Sequence, residues 1–232
     1  TVYMDRFYAL GNGGKSPYLS YIIGVVLGDA CCYRVQSIHP RTGHPSVTWR
    51  IDLQVKDEPF AQAFARALGA ALKRPDSPNR QIKVLHTKSP HQPFRVTVAS
   101  QGFGEWWQIV KGDFDALERT VSVNPKDFLR GLYDSEGNMS KGPTVRIFNE
   151  RQDILELAIS CLSILGMRAH IRVFRKTGTS VTFPNGQHYI TTRNLYVIDP
   201  KPCRRFVETV GSNIPRKTVM ELRHRNSIPE SK

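Results

Sequence analysis

The 232-residue sequence lacks the features that mark several common classes of protein. Its four cysteines, Cys31, Cys32, Cys161 and Cys203, include no C-x-x-C pair, so we expect reduced thiols and no zinc site. The seven histidines show neither an H-x-x-x-H nor an H-E-x-x-H pattern. The longest apolar run, Tyr21–Leu27, is much shorter than the roughly 20 residues of a membrane-spanning helix. No signal-peptide pattern opens the sequence, which predicts an intracellular protein.

Negative charge is scarce relative to positive charge. The chain has 33 Lys and Arg residues against 20 Asp and Glu residues, a formal net charge of +13, and a pI of about 9.9. A field of this sign favours a polyanionic partner, which is either nucleic acid or an anionic membrane surface. Because the sequence has no apolar span, nucleic acid is the favoured partner.

The predicted helices and strands occur in an order that repeats once. The first half shows a helix at Pro17–Asp29, strands at Cys32–Gln36 and Val47–Val55, a helix at Asp57–Leu72, strands at Gln81–Thr87 and Phe94–Ala99, and a helix at Gly104–Val110. The second shows a helix at Pro125–Ser135, a strand at Thr144–Asn149, a helix at Asp153–Leu165, strands at Ala169–Arg175 and Tyr189–Ile198, and helices at Pro202–Val210 and Pro215–His224. The order predicts an α+β fold of two pseudo-symmetric α-β-β-α-β-β-α halves, residues 1–112 and 125–232, with a linker at 113–124.

Several predicted strands alternate apolar with polar residues. Arg50, Asp52 and Gln54, for example, lie between apolar neighbours in the second strand. One face of such a strand packs on helices, and the other presents side chains that can bind base edges. A solvated sheet face has the same pattern, but four or more such strands in a chain of net charge +13 favour DNA binding. The predicted DNA-contacting residues are Arg34, Gln36, Arg50, Asp52, Gln54, Lys83 and Arg95 in the first half, and Arg146, Asn149, Arg172, Arg175 and Arg193 in the second.

The first helix of each half ends in the same way. Small residues spaced four apart, Gly24 with Gly28 and Gly131 with Ser135, lie on one helix face and allow two helices to pack closely. An acid follows each pair, Asp29 in the first half and Glu136 in the second. A carboxylate is disfavoured at a helix C-terminus because the helix dipole is negative there.

Two acids brought together at such helix ends also repel each other, and a bound divalent cation would offset that repulsion. Oxygen ligands on a nucleic-acid-binding surface suit Mg²⁺. Each acid alone is better explained as a hydrated helix end, whereas the matched pair favours a metal site. We therefore predict a metal site at Asp29 and Glu136 that includes the residues following them, Ala30 and Gly137.

The two helix ends, Ile22–Ala30 and Leu129–Gly137, resemble the LAGLIDADG motif of homing endonucleases, with Asp29 and Glu136 at the eighth position. The resemblance covers nearly the whole chain, because the α-β-β-α-β-β-α repeat is also the half-domain of that family. It implies a four-stranded antiparallel, DNA-binding sheet in each half. The second segment is the better match. In the first, Leu27 stands in place of the first acid and Ala30 in place of the final glycine.

The resemblance implies a monomeric, intron-encoded enzyme of archaea or organelles that makes double-strand breaks in a DNA target of about 14–24 base pairs and leaves short 3′ overhangs. The implied cofactor is two or three Mg²⁺ ions, with Mn²⁺ as a substitute. It also implies a lysine after the last strand of a half, which is Lys201 in the second half and is replaced by Gln101 in the first. Lys201 is equally explained as a surface lysine at a helix start. A polar residue on the second strand is expected at the water pocket, either Asp52 or Gln54 in one half and Asn149 in the other.

Two alternatives share this fold. An RNA maturase, which assists intron splicing, would keep the basic surface and need not keep the acids. A non-catalytic DNA-binding regulator would bind its site without cutting. The presence of both acids favours nuclease activity, and it is also compatible with a dual role in which the protein binds RNA as a maturase.

Overall fold

The structure is a computed structural model, and it describes residues 16–38, 43–72, 81–139, 144–182 and 186–218. The first half contains α1 (Pro17–Val26), β1 (Cys31–Ile38), β2 (Pro45–Val55), α2 (Glu58–Ala71), β3 (Val84–His86), β4 (Phe94–Ala99) and α3 (Gln101–Val110). Helix α4 (Phe114–Val121) follows. The second half contains α5 (Pro125–Glu136), β5 (Gly137–Met139), β6 (Val145–Asn149), α6 (Gln152–Ile164), β7 (Arg172–Arg175), β8 (Ser180–Thr182), β9 (His188–Ile190), β10 (Leu195–Ile198), α7 (Cys203–Thr209) and a 3₁₀ turn (Pro215–Lys217).

The strands form two four-stranded antiparallel sheets with the same topology. The first has the order β1-β2-β4-β3 and the second the order β5-β6-β10-β7. One face of each sheet packs on helices, because apolar side chains such as Ile51, Leu53 and Ile147 alternate to that side and are buried. The predicted α+β fold with two four-stranded antiparallel sheets is confirmed.

Helices α1 and α5 pack against each other at the centre of the molecule. Proline occupies the first turn of each helix, at Pro17 and Pro125, where its missing N–H costs no hydrogen bond. Their buried apolar side chains join a core that runs through both halves. Each helix leads directly into the first strand of its own sheet, so the two sheets flank the helix pair.

Several elements differ from the sequence prediction. The segment expected as a linker contains helix α4, whose amphipathic turns bury Leu117 and Val121. The strand expected at Tyr189–Ile198 is split into β9 and β10, and β8 pairs with β9 as a separate two-stranded sheet. Strand β5 was not predicted, because three residues are too few for an alternating pattern.

Other expectations fall wholly or partly outside the described residues. The described part of the expected C-terminal helix at Pro215–His224 is the 3₁₀ turn, and 219–224 lie outside the described residues. Across the described ranges, no helix combines the length and the apolarity needed to cross a bilayer.

Candidate active site and nucleic-acid interface

The two motif helices, α1 and α5, meet backbone to backbone. A Cβ atom on Gly24 would lie 2.7 Å from the backbone nitrogen of Leu132 and closer still to the carbonyl oxygen of Phe128. One on Gly131 would lie 3.2 Å from the backbone nitrogen of Val25 and would overlap the carbonyl of Tyr21. The small residues predicted from the sequence are therefore needed for the close approach of these helices.

This packing brings the two acids to the same end of the helix pair. Asp29 lies three residues beyond the last residue of α1, in a turn where the Ala30 amide donates to the carbonyl of Val25 over 2.9 Å. Glu136 is the last residue of α5. The side chain of Glu136 packs beside Gly28, where an added Cβ would lie 3.1 Å from its Cγ atom.

Both carboxyl groups have raised pKa values. Loss of hydration in the surrounding protein raises the pKa of Glu136 to about 7, with repulsion from Asp29 as the second cause. The same loss of hydration raises the pKa of Asp29, although that residue remains accessible to solvent at the mouth of a cleft. Within the described part of the chain, neither carboxylate forms a hydrogen bond or a salt bridge. The pair is therefore held together at an energetic cost that a cation would offset.

The first acid of the second motif has a different role. Asp134 is 1% exposed and accepts hydrogen bonds from the Tyr21 hydroxyl at 2.8 Å, the Asn213 side-chain amide at 2.7 Å and the Asn213 backbone at 3.0 Å. The Ser212 hydroxyl donates to it as well. Asp134 thereby joins α1, α5 and the segment after α7, which explains its burial as a charged group.

Lys217, which the sequence prediction missed, lies in the 3₁₀ turn beneath the acid pair. It is 5% exposed, and its Nζ atom donates to the carbonyls of Asp134 at 2.8 Å and Tyr133 at 3.0 Å. Its charge opposes the rise in the pKa values of both Asp29 and Glu136. Burial in turn lowers the pKa of Lys217 to about 8. Nothing in the sequence distinguishes this lysine from the other basic residues, because its burial depends on the return of the chain to α5.

An open cleft of about 220 Å³ contains Asp29. The side chain of Gln54 lines the same cleft, as do Ser135 and Lys217. Gln54 therefore lies where the sequence prediction expected a polar residue of the second strand, and its amide donates to the carbonyl of Gln92 at 2.9 Å. Asp52, the other candidate, is bound instead by the guanidinium of Arg95 at 2.8 and 2.5 Å.

The outer face of the first sheet carries part of the predicted DNA interface. Arg50, Asp52 and Gln54 alternate with buried residues of β2 and therefore lie on the outer side. Arg95 of β4 pairs with Gln54, so it lies on the outer side as well. Lys83 is exposed just before β3.

The sheet register contradicts the prediction for Arg34 and Gln36. Arg34 pairs with Trp49 and Gln36 with Val47, so both lie on the side that faces the helices. Trp49 packs there against the backbone of Gly104 in α3. Both residues are exposed, and they do not share a face with Arg50.

In the second sheet, Asp199 binds two of the predicted DNA-contacting arginines. The distance is 3.2 Å from Arg146 Nε and 2.8 Å from an Nη atom of Arg172. Arg175 donates to the Tyr189 hydroxyl, and Arg193 forms a 3.4 Å salt bridge with Glu150. These four arginines remain at the surface or partly so.

Asn149 is not at a water pocket or a DNA surface, which corrects the prediction. It is 7% exposed, and its side-chain oxygen accepts the backbone N–H of Arg151 at 2.9 Å. It shares the helix-facing side of β6 with Val145 and Ile147, because residues two apart in a strand point the same way. Its role is to close the turn after β6.

Lys201 and Gln101 each follow the last strand of a half, as predicted, but make contacts away from the acids. The Lys201 backbone exchanges hydrogen bonds of 2.8 and 3.0 Å with Arg168, and its side chain is exposed. Strand β10, which leads to Lys201, is separated from β5 by β6. The amide of Gln101 donates to Glu105 on its own helix at 2.6 Å.

The donor set at the acid pair fits a divalent cation. Among the described residues, no three His, Cys, Asp or Glu side chains come together as a metal cluster. Two carboxylates with open positions are what Mg²⁺ uses when phosphate and water supply the remaining oxygen ligands. Ala30 and Gly137 follow the two acids directly, and a backbone carbonyl is the same kind of oxygen ligand.

Comparisons with known proteins agree with this architecture. A family model described as a LAGLIDADG-like domain matches residues 125–211. An uncharacterised protein of the archaeon Methanocaldococcus jannaschii is 26% identical over 205 residues, which cover 87% of this chain and 69% of that relative.

The homing endonuclease I-DmoI has a similar structure. Its complex with DNA and Ca matches with a TM-score of 0.60 at 19% sequence identity, covering 88% of this chain and 96% of that one. Its complex with DNA and Mn matches with a TM-score of 0.58 at 20% identity, covering 85% and 97%. At this identity the likeness shows a shared fold. The resemblance seen in the sequence is therefore confirmed, since the family model for a LAGLIDADG-like domain matches most of the second half and the chain as a whole has the fold of the homing endonuclease I-DmoI.

Proposed function

We propose that this protein is a metal-dependent DNA endonuclease that cuts both strands of a long target. The observation that carries the proposal is the acid pair, two carboxylates without protein partners among the described residues, at the joined ends of α1 and α5 between two polar sheet faces. The fold shared with I-DmoI, whose structures include DNA with Ca or Mn, supports the same conclusion. Two hydrated helix ends would not account for both the repulsion between the two carboxylates and their matched positions at the ends of α1 and α5.

In this proposal, Asp29 and Glu136 hold Mg²⁺ or Mn²⁺, two or three ions in all, with the carbonyls of Ala30 and Gly137 as neighbouring donors. When bound, the metal lowers the pKa of a water molecule and stabilises the charge on the leaving oxygen. Hydrolysis adds the water oxygen to phosphorus and breaks the bond from phosphorus to the 3′ oxygen, leaving a 5′ phosphate and a 3′ hydroxyl. Gln54 lines the Asp29 cleft, where its amide can orient that water.

The rest of the chain binds and places the DNA. Arg50, Lys83 and Arg175 supply positive charge on or beside the outer faces of the sheets, and the net charge of +13 favours binding to phosphates. Two sheets side by side suit a duplex of about 14–24 base pairs bound by one protein molecule. A cut at each of two closely spaced phosphates across the minor groove would leave short 3′ overhangs. An intron-encoded origin in an archaeon is consistent with the relative in Methanocaldococcus jannaschii.

The test begins without knowledge of the target. A library of duplexes with 24 randomised base pairs is selected for binding to the protein in Ca²⁺, and the recovered duplex is then incubated with the protein in Mg²⁺ or in EDTA. We expect double-strand cutting in Mg²⁺, none in EDTA, and short 3′ overhangs when the ends are sequenced. Tight binding without cutting in Mg²⁺ or Mn²⁺ would contradict the nuclease proposal and favour a DNA-binding regulator. Selective binding to structured RNA with no duplex recovered would favour a maturase.

A further inference from the structure

The segment after α7 returns to the acid pair and contacts both halves of the protein. We call residues 211–218 the C-terminal latch. In the latch, Asn213 bonds Asp134 of α5 and the hydroxyl of Tyr21 of α1, and Arg216 forms a salt bridge of 2.8 Å with Asp57 before α2. The family-model match ends at residue 211, the first residue of the latch, so the rest of the latch lies beyond the matched range.

We propose that Lys217 of this latch is a positioning residue for the acid pair, acting on the Asp29 cleft and making the two cutting sites unequal. This inference rests on the proposed nuclease function. Lys217 is too buried to touch DNA, and its ammonium group instead binds the carbonyls of Tyr133 and Asp134 in the last turn of α5. Glu136 and Gly137 follow directly, so the direction in which the chain leaves α5 depends on this contact.

Burial of the lysine in this place requires a specific reason. A buried ammonium group loses its hydration, and two neutral carbonyls do not fully compensate for that loss. Asp134 attracts the ammonium group most strongly and Asp29 and Asp57 add to this attraction, while the neighbouring Arg216 opposes it. The Tyr133 ring lies 5.5 Å from its Nζ atom, and the Tyr133 hydroxyl bonds the Lys217 carbonyl at 3.3 Å. The ring and the two carbonyls hold one positive charge at a fixed place near two unpaired acids, whereas the Tyr133 hydroxyl reaches only the backbone of Lys217.

The arrangement is asymmetric. Lys217 lines the cleft of Asp29 together with Gln54. In the first half, the chain after α3 continues into α4, and Lys111, the basic residue at that point, is exposed. Phe148 occupies the position in the second sheet that corresponds to Gln54. Ile147 pairs with Gly137, the residue after Glu136, and the β1–β2 register places Leu53 opposite Ala30, the residue after Asp29. The next residue of the strand is therefore Phe148 in one half and Gln54 in the other. The two acids therefore have different surroundings despite the repeated fold.

Strand-resolved cutting tests this inference. A supercoiled plasmid carrying the selected duplex, labelled differently on each strand near the site, is cut by the wild-type protein and by Lys217→Met, Lys217→Gln, Lys217→Arg and Tyr133→Phe variants. The Gln variant keeps an N–H donor for the carbonyls without the charge, so it tests the role of the charge if the Met variant does not fold. Tyr133→Phe is the matched control, because it removes another latch hydrogen bond and leaves the ammonium group in place.

We expect Lys217→Met and Lys217→Gln to bind the duplex as the wild type does and to cut one strand about 10- to 100-fold more slowly than the other, so that nicked plasmid accumulates. Lys217→Arg should restore part of the lost rate, and Tyr133→Phe should cut each strand at the wild-type rate. In the protein without DNA or metal, amide hydrogen exchange at residues 134–137 should be faster in Lys217→Met than in Tyr133→Phe.

The outcomes separate this inference from the proposed function. Suppose that the wild-type protein cuts. If the neutral variants then cut both strands at the wild-type rate, or if their cutting of the two strands slows equally, Lys217 is not a positioning residue of one cleft. Unchanged hydrogen exchange at the end of α5 would also overturn it. If the wild-type protein cuts neither strand, the nuclease proposal itself has failed, and the positioning role fails with it.

Discussion

The hydroxyl of Tyr21 in α1 donates a 2.8 Å hydrogen bond to the carboxylate of Asp134 in α5, so a buried polar contact joins the two helices that carry the acid pair. Burial and the neighbouring carboxylate raise the pKa of Tyr21, which keeps the hydroxyl protonated and able to donate. The close packing of the helices and this contact together fix the ends at which Asp29 and Glu136 lie.

We predict that Tyr21→Phe lowers the free energy of unfolding by about 1–2 kcal/mol, because a buried carboxylate loses one of its donors while the others remain. Tyr18→Phe on the same helix is the control, since Tyr18 is 50% exposed and the change should cost little. Urea denaturation followed by circular dichroism measures both. Equal stabilities of the two variants would show that the Tyr21 contact does not stabilise the helix pair.

A second prediction concerns the close approach of the helices. Gly24→Ala should destabilise the protein by about 1–3 kcal/mol, because the added methyl group overlaps the backbone of α5 and the helices must separate. Gly69→Ala in α2 should be neutral or stabilising, because no atom of the described residues beyond the adjoining helix backbone lies within 4 Å of its added Cβ, and alanine is the better helix former. The midpoint of thermal unfolding distinguishes them, and a stabilised Gly24→Ala variant would contradict the packing.

The repeated fold and both acids could be predicted from the sequence, because small residues spaced four apart and an acid at each helix end are local patterns. The alternation of Arg50 and Gln54 with buried residues in a long strand also indicated that both lie on the outer face of the sheet, while their contact with DNA stays a prediction. Asn149 was assigned to the DNA-binding face of the sheet, although it lies two and four residues from Ile147 and Val145 and therefore points to the same, helix-facing side. Arg34 was misplaced because β1 has no clear apolar alternation to show which side faces the helices.

Other features depend on contacts between distant parts of the chain. Lys217 is buried because the latch returns to α5, and no local pattern marks such a return. Helix α4 was missed because its short apolar stripe, Leu117 and Val121, lies in a polar segment that was interpreted as a linker. The β8–β9 hairpin was missed because its strands have only three residues each.

The corrected sheet faces give a third prediction. Arg50→Ala should weaken binding to the selected duplex by about 1–3 kcal/mol, as expected for loss of a contact to a base or phosphate. Arg34→Ala should leave the affinity nearly unchanged, because Arg34 lies on the helix-facing side of the sheet. Fluorescence anisotropy in Ca²⁺ at several salt concentrations measures both. A larger loss of affinity for Arg34→Ala than for Arg50→Ala would show that DNA contacts the helix-facing side of the first sheet.

The raised pKa of Glu136 gives a prediction for stability against pH. The folded pKa, about 7, is above the ordinary value of 4.5, so folding favours the protonated acid. The stability that protonated Glu136 contributes is fully present below pH 4.5 and is lost as the pH rises through 7. Between pH 4.5 and pH 7, the free energy of unfolding of the metal-free protein should therefore fall by on the order of 2–3 kcal/mol relative to that of a Glu136→Gln variant.

Denaturation in EDTA at several pH values between 4.5 and 8 measures that difference. Mg²⁺ should then stabilise the wild-type protein more at pH 8 than at pH 6, because the metal binds the ionised acid. Parallel stability curves for the wild type and Glu136→Gln would mean that Glu136 ionises normally and lies apart from Asp29.

Cutting of the selected duplex by Asp29→Asn and Glu136→Gln variants tests the central claim most directly. Each variant keeps the size of the side chain and removes its ability to hold a metal as a carboxylate. We predict that both bind the duplex within about 3-fold of the wild type, as expected when an acid is removed from a polyanion-binding site, and that neither makes double-strand breaks in Mg²⁺. Full cutting by either variant would contradict the assignment of Asp29 and Glu136 as the metal-binding acids.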